Sequence, residues 1–197
     1  MLPLALILLA APGRPLFYWG ARPPTILADG PPVRGVEAQV LEVHAALDKG
    51  DLVVRFTFDR AVKDALYLKD GAPVSGRLRA ALDIDADGDR ATGVASGPGD
   101  LRTGADHRVE LGVVALGRDD EEKLPARALV TAALLGLTPD GRRRSLWRAD
   151  DADNPQQVSI RGEWVELRLP LDKVPARTGS RLILSQGERA YDGRLVP

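Results

Sequence analysis

The chain has 197 residues, a formal net charge of −1, and 44% hydrophobic against 28% charged residues, enough length and apolar material for one globular domain to bury its own core. Near-neutral charge without a basic excess excludes the phosphate footprint of a general nucleic-acid binder. The count of 0 cysteines excludes disulfides, iron–sulfur clusters, cysteine zinc sites and thiol nucleophiles, and 2 histidines are too few for a histidine-rich metal centre.

Leu2 to Ala11 form an apolar run interrupted by Pro3, the length of a signal-peptide core and too short to span a bilayer. It predicts export, to a secreted, periplasmic or envelope-associated location, with membrane contact only through this segment. No Lys or Arg precedes the run, and the small-residue pairs Leu8/Ala10 and Leu9/Ala11 are imperfect cleavage sites. The alternative is an apolar first strand or a membrane-resting anchor extended by Leu16, Phe17, Tyr18 and Trp19. Residues 12–32 are rich in Pro and Gly and read as a linker or extended lead-in. Residues 1–32 are therefore set apart from a single β-sandwich domain expected over 33–197.

From Val36 to Ala46 the chain alternates, with a slip before Val43, and after Asp48-Lys49-Gly50-Asp51 alternation resumes at Leu52, Val54, Phe56 and Phe58. This predicts a β-hairpin with a Gly-containing turn, its Val53, Arg55, Thr57 and Asp59 side being the wetter one. Ala65–Lys69, Gly76–Asp85, Arg108–Leu116 and Arg127–Leu137 are the next strand candidates, the last continuing past Pro139-Asp140-Gly141 into Ser145-Leu146-Trp147. Val158–Ile160 and Trp164–Leu169 flank a tight turn at Arg161-Gly162, and Arg181–Gln186 closes the series. Short strands at turn-punctuated intervals predict an all-β, antiparallel β-sandwich of jelly-roll-like character.

The sharpest constellation is Leu82-Asp83-Ile84-Asp85-Ala86-Asp87-Gly88-Asp89, followed by Arg90-Ala91-Thr92-Gly93 and later by Gly104-Ala105-Asp106. Alternation on an extended segment would align Asp83, Asp85, Asp87 and Asp89, and a turn at Gly88 would curl them around one point. Anions packed this way repel unless a hard cation neutralises them, and Ca²⁺ takes about 6 to 8 oxygens. The spacing matches the first half of an EF-hand loop, but Val94 stands where the bidentate Glu is required, so an EF-hand is rejected. Asp106 or Asp100 is then needed to complete the set. The expected metal ligands are Asp83, Asp85, Asp87, Asp89 and Asp106; a solvated Asx-turn loop without an ion is the competing reading.

Ile84-Asp85-Ala86-Asp87, Ala91-Thr92-Gly93 and Gly104-Ala105-Asp106-His107-Arg108-Val109-Glu110 together resemble a pattern of β-sandwich domains similar to family 9 carbohydrate-binding modules and DOMON-type domains. Leu52–Phe58 resembles their early alternating strand, Val165–Leu171 their late strand, and Tyr191-Asp192 with Pro197 their closing motif. The resemblance implies an exported jelly-roll-like sandwich with a structural Ca²⁺ in the acidic loop, Asp85, Asp87 and Asp106 matching the recurrent acids. His107 departs from the usual aromatic after Gly-Ala-Asp.

A sugar site needs exposed aromatic platforms. Phe56 and Phe58 are expected in the core and Trp19 in the N-terminal segment, which leaves Trp147 and Trp164 as the expected ligand-binding rings, with Tyr67 and Tyr191 as further candidates. No Gly-x-Ser-x-Gly elbow, His-Glu-x-x-His helix or phosphate-binding glycine loop is present, and no catalytic residue is assigned. His44 and His107 read as structural, haem ligation is unsupported because Met1 is the sole methionine, and Asp119–Glu122 and Arg142–Arg144 read as solvated turns. The expected function is an exported non-catalytic module with structural calcium, binding a glycan; the alternative is a structural or interaction domain partnered by an envelope protein. Ring exposure on one concave face distinguishes them.

Overall fold

The computed structural model describes residues 14–32, 38–62, 80–94, 104–116 and 127–197. The expectations placed on Leu2–Ala11, Val36, Ala65–Lys69, the first residues of Gly76–Asp85, Tyr67, Asp100 and Asp119–Glu122 lie outside them. Among the described residues no helix is long and apolar enough to cross a membrane.

The described residues form β1 (Ile26–Leu27), β2 (Val40–Asp48), β3 (Asp51–Phe58), β4 (Ala80–Asp85), β5 (His107–Leu116), β6 (Arg127–Leu137), β7 (Arg143–Asp150), β8 (Val158–Arg161), β9 (Trp164–Pro170), β10 (Arg181–Gln186) and β11 (Arg189–Arg194). They build two antiparallel sheets, one in the order β1-β2-β3-β9-β8 and one in the order β11-β10-β4-β5-β6-β7. The architecture is the predicted all-β sandwich.

Each strand's period of two sends one set of side chains inward. Val43, Ala45, Leu52, Val54, Phe56, Phe58, Val165, Leu167 and Leu169 come from the first sheet. They meet Leu82, Ile84, Val109, Val130, Leu134, Leu182 and Leu184 of the second in one continuous core. Burying each of the large side chains contributes about 1.5–3 kcal/mol, so the β3 and β9 stripes bind the layers together. At one margin the Gln186 amide of β10 clasps β2 across the layers: its Oε1 accepts the Val40 amide (2.8 Å) and its Nε2 donates to the Val40 carbonyl (2.7 Å).

The β2–β3 hairpin turns on Lys49-Gly50, both with positive φ (48° and 92°), the primed geometry that matches strand twist. The slip in the first strand is a bulge between Val40 and Glu42.

The lead-in differs from the expected linker. Residues 26–27 pair with β2 as an edge strand, Ile26 is buried in the core, and the segment around Trp19 lies on the outer face of the five-stranded sheet. These residues ahead of Val33 are packed on the sheet as a lead-in and not spaced from it as a linker. Trp19 also corrects the expected wet face of β3: with Ala46 it covers Val53, which is fully buried.

Candidate metal centre

The acidic loop leaves β4 at Asp85 and is folded back by three features. Gly88 adopts φ +77°, Gly93 φ +68° and Gly104 φ +89°. Two bonds zip the loop to the start of β5, the Val94 amide donating to the Ala105 carbonyl (2.9 Å) and the Gly104 amide to the Val94 carbonyl (3.0 Å). A β-carbon on Gly104 would lie 2.7 Å from Arg90 Cα and 3.3 Å from Asp85 Oδ2, so glycine is needed both for φ and for the close approach. The Asp106 amide then donates to the Ile84 carbonyl (3.0 Å), which brings its carboxylate beside the end of β4.

The result is a group of three acids. Asp85, Asp87 and Asp106 each present a carboxylate oxygen within 4.8 Å of the others. Asp85 is buried, Asp106 is half-buried and Asp87 is exposed. Loop amides already hold part of the set: Gly88 donates to Asp85 Oδ1 (2.7 Å), Asp89 to Asp87 Oδ1 (2.8 Å) and Ala86 to Asp106 Oδ2 (3.2 Å). The Thr92 hydroxyl sits 2.9 Å from Asp87 Oδ2, Arg177 donates to the Asp87 carbonyl (2.8 Å) and Ser180 Oγ to the Ala86 carbonyl (2.7 Å). Arg177, Ser180 and Thr92 thus pin the loop, a role their spacing in sequence did not signal.

Asp106 Oδ1 is buried and has no hydrogen-bond donor among the described residues. Burial, with the charges of Asp87 and Asp85 adding to it, pushes the Asp106 carboxyl up to about 6. Burial likewise raises Asp85, whereas the Asp89 amide holds the exposed Asp87 below the usual carboxylate range. The Arg181 guanidinium, 3.6 Å from Asp85 Oδ2, offsets part of this negative charge from the β10 side. An all-oxygen donor set with an unpartnered buried oxygen and mutually repelling carboxylates fits a hard divalent cation.

The other two expected ligands are engaged elsewhere. Asp83 lies opposite Arg108 in the β4–β5 register and is gripped by its fork at 2.7 and 2.9 Å, both side chains buried. Asp89 turns its carboxylate to the Ala91 amide (2.8 Å).

The two expected ligand-binding rings do not share a face. Trp147 is opposite core residue Leu134 and packs half-buried against the inter-sheet core. Trp164 is half-buried on the outer side of β9, in the other sheet. His44 is buried and bonded to Glu42 of its own strand (3.2 Å), while His107 Nδ1 lies 4.0 Å from Asp106 Oδ1; burial lowers the pKa of both rings. Comparison with models of known families, with curated proteins and with solved structures finds no match.

Proposed function

We propose that the chain is an exported, non-catalytic β-sandwich module stabilised by Ca²⁺ at Asp85, Asp87 and Asp106. The observation that carries this reading is the convergence of the three carboxylates, each offering an oxygen within 4.8 Å of the others, on a group that includes the buried, unpartnered Asp106 Oδ1. Their separation of at most 4.8 Å fits the distance of about 4.6–5.2 Å between opposed oxygens of a Ca²⁺ sphere. The cation's work is structural: it neutralises the repulsion of a loop that ties β4 to β5, so that binding energy becomes folding energy. Export is supported by the apolar run Leu2–Ala11. The placement of Trp147 and Trp164 on different sheets favours the interaction-domain alternative over a two-ring glycan platform, with an envelope protein as the partner class.

The test is a thermal melt of the full chain in EDTA and in millimolar calcium. At 100-fold excess over Kd a single site adds about 2.7 kcal/mol, a rise of about 5–11 °C for a chain of this size. Asp85→Asn and Asp87→Asn should abolish the rise while Asp83→Asn and Asp89→Asn keep it. An unchanged wild-type melt would overturn the proposal.

A further inference from the structure

The segment before β1 meets the outer face of the five-stranded sheet through its main chain, and the sheet answers with side chains. Glu166 Oε2 accepts the Leu16 amide (2.6 Å), Arg168 donates to the Leu16 carbonyl (3.2 Å), and Ser159 Oγ donates to the Arg14 carbonyl (2.7 Å). Side chains that bond both the N–H and the C=O of one residue read its backbone whatever side chain it carries. Selectivity enters three residues later. The Trp19 indole N–H donates to Glu166 Oε1 (2.5 Å), and its ring rests on Ala46 and Val53. The same ring meets His44 edge-on at 5.6 Å and the Arg55 guanidinium at 5.1 Å.

The receiving groups are set by the sheet itself. Arg168 is held by Asp48 (2.5 Å) and Asp51 (2.8 Å) beside the β2–β3 turn, so its donor toward Leu16 is oriented before the segment arrives. Arg55 lies in register between His44 and Glu166. Glu166 is fully buried, and both of its hydrogen-bond donors among the described residues belong to the segment. Among the described residues, no main-chain bond joins residues 14–18 to the sheet, so their departure breaks no strand ladder. A turn at Gly20 (φ +56°), closed by the Arg22 amide on the Trp19 carbonyl (3.2 Å), separates the segment from β1 and supplies the hinge.

We propose that this face is a recognition site for a tryptophan-bearing peptide segment, and that residues 14–19 are its ligand, held in cis. The site lies on the opposite sheet from the Asp85 group and does not depend on a cation there.

The test uses the full chain carrying Trp19→Ala and a fluorescein-labelled peptide of residues 14–22, titrated by fluorescence anisotropy. Saturable binding is expected, at least 10-fold tighter than to the wild-type chain, whose site is occupied. It should fall at least 10-fold when Glu166→Gln is added, and vanish for a peptide with alanine at its Trp19 position. A cooperatively melting Trp19→Ala chain that binds no peptide, or binds equally well with Glu166→Gln, overturns the proposal. Should Trp19→Ala not fold, hydrogen exchange on the wild-type chain decides: the Leu16 amide must exchange at least 10-fold faster than the β3 and β9 amides. Exchange together with those strands would make the segment a permanent part of the fold and end the proposal. Anisotropy saturating while the chain doubles in size by light scattering would identify the segment of a second copy as the partner.

Discussion

Asp106→Asn, read in EDTA, isolates the electrostatic cost of the acidic loop. The Asp106 carboxyl titrates at about 6 in the folded chain and at 3.8 without the fold's influence, so the folded state favours the protonated form. The contribution is favourable below the unfolded value and is lost as pH rises through the folded one. By linkage the ionised carboxylate costs next to nothing at pH 3, about 3 kcal/mol at pH 7.5 and about half as much at pH 5. Asparagine keeps the acceptor for the Ala86 amide and removes the charge. In EDTA at pH 7.5 the variant should melt higher than wild type by about 6–12 °C, a gain shrinking by about half at pH 5 and disappearing near pH 3. In calcium at 100-fold excess over Kd the wild-type chain should regain about 2.7 kcal/mol and nearly close the gap, because the variant lacks the ligand, and the wild-type calcium shift should be larger at pH 7.5 than at pH 5. Scanning calorimetry across this pH series reads all of these quantities. A variant less stable than wild type in EDTA at pH 7.5, or a gain independent of pH, would refute the electrostatic reasoning.

Arg108→Ala removes the guanidinium fork from the buried Asp83 carboxylate and should cost about 3–5 kcal/mol in urea unfolding, whereas Asp83→Asn with Arg108→Met should recover most of that loss. Gly193→Val should lower the melting temperature sharply, by more than the 1–3 kcal/mol of ordinary overpacking, because a β-carbon there would sit 1.9 Å from the Thr25 carbonyl oxygen; Gly112→Ala, whose β-carbon would meet only Thr131 Oγ1 at 3.4 Å, is the mild control. His44 is buried and its pKa lies below 6.5, so the unfolded chain takes up its proton first and stability should fall as pH drops through that value. His44→Phe should flatten this part of the pH–stability curve measured by calorimetry.

The hairpin β2–β3 was legible because Leu52, Val54, Phe56 and Phe58 alternate strictly and Lys49-Gly50 has turn chemistry; even the bulge at Val40/Glu42 shows as a slip of phase. β11 was not legible, since Arg-Ala-Tyr-Asp-Gly-Arg carries no apolar period and gains its place from pairing with β10. In the acidic loop, spacing brought Asp85 and Asp87 together and Asp106 was read as the missing acid. It misplaced Asp83 because strand alternation says nothing of the residue across the ladder, here Arg108. Trp147 was expected as an exposed platform because Phe56 and Phe58 were assigned to the core and Trp19 to the N-terminal segment. The bulge between Leu134 and Leu135 leaves Leu146 unpaired and sets Trp147 opposite a core leucine instead. Trp19 was read as part of the Pro- and Gly-rich N-terminal lead-in, and the outer-face residues that receive it are separated from it by up to 147 positions.

The run Arg142–Arg144 has a consequence for behaviour at high concentration. Arg143 and Arg144 open β7, which borders the six-stranded sheet, and Arg148 projects from the same exposed margin. An unpaired border strand is a template for the backbone of another chain, but cationic side chains along it repel an identical border. The remaining borders are β1, two residues long, β8, four residues long, and β11, which is punctuated by Asp192 and Gly193. Replacing these arginines with β-branched apolar residues would therefore be felt less in the melting temperature than in solubility, as ordered association through β7.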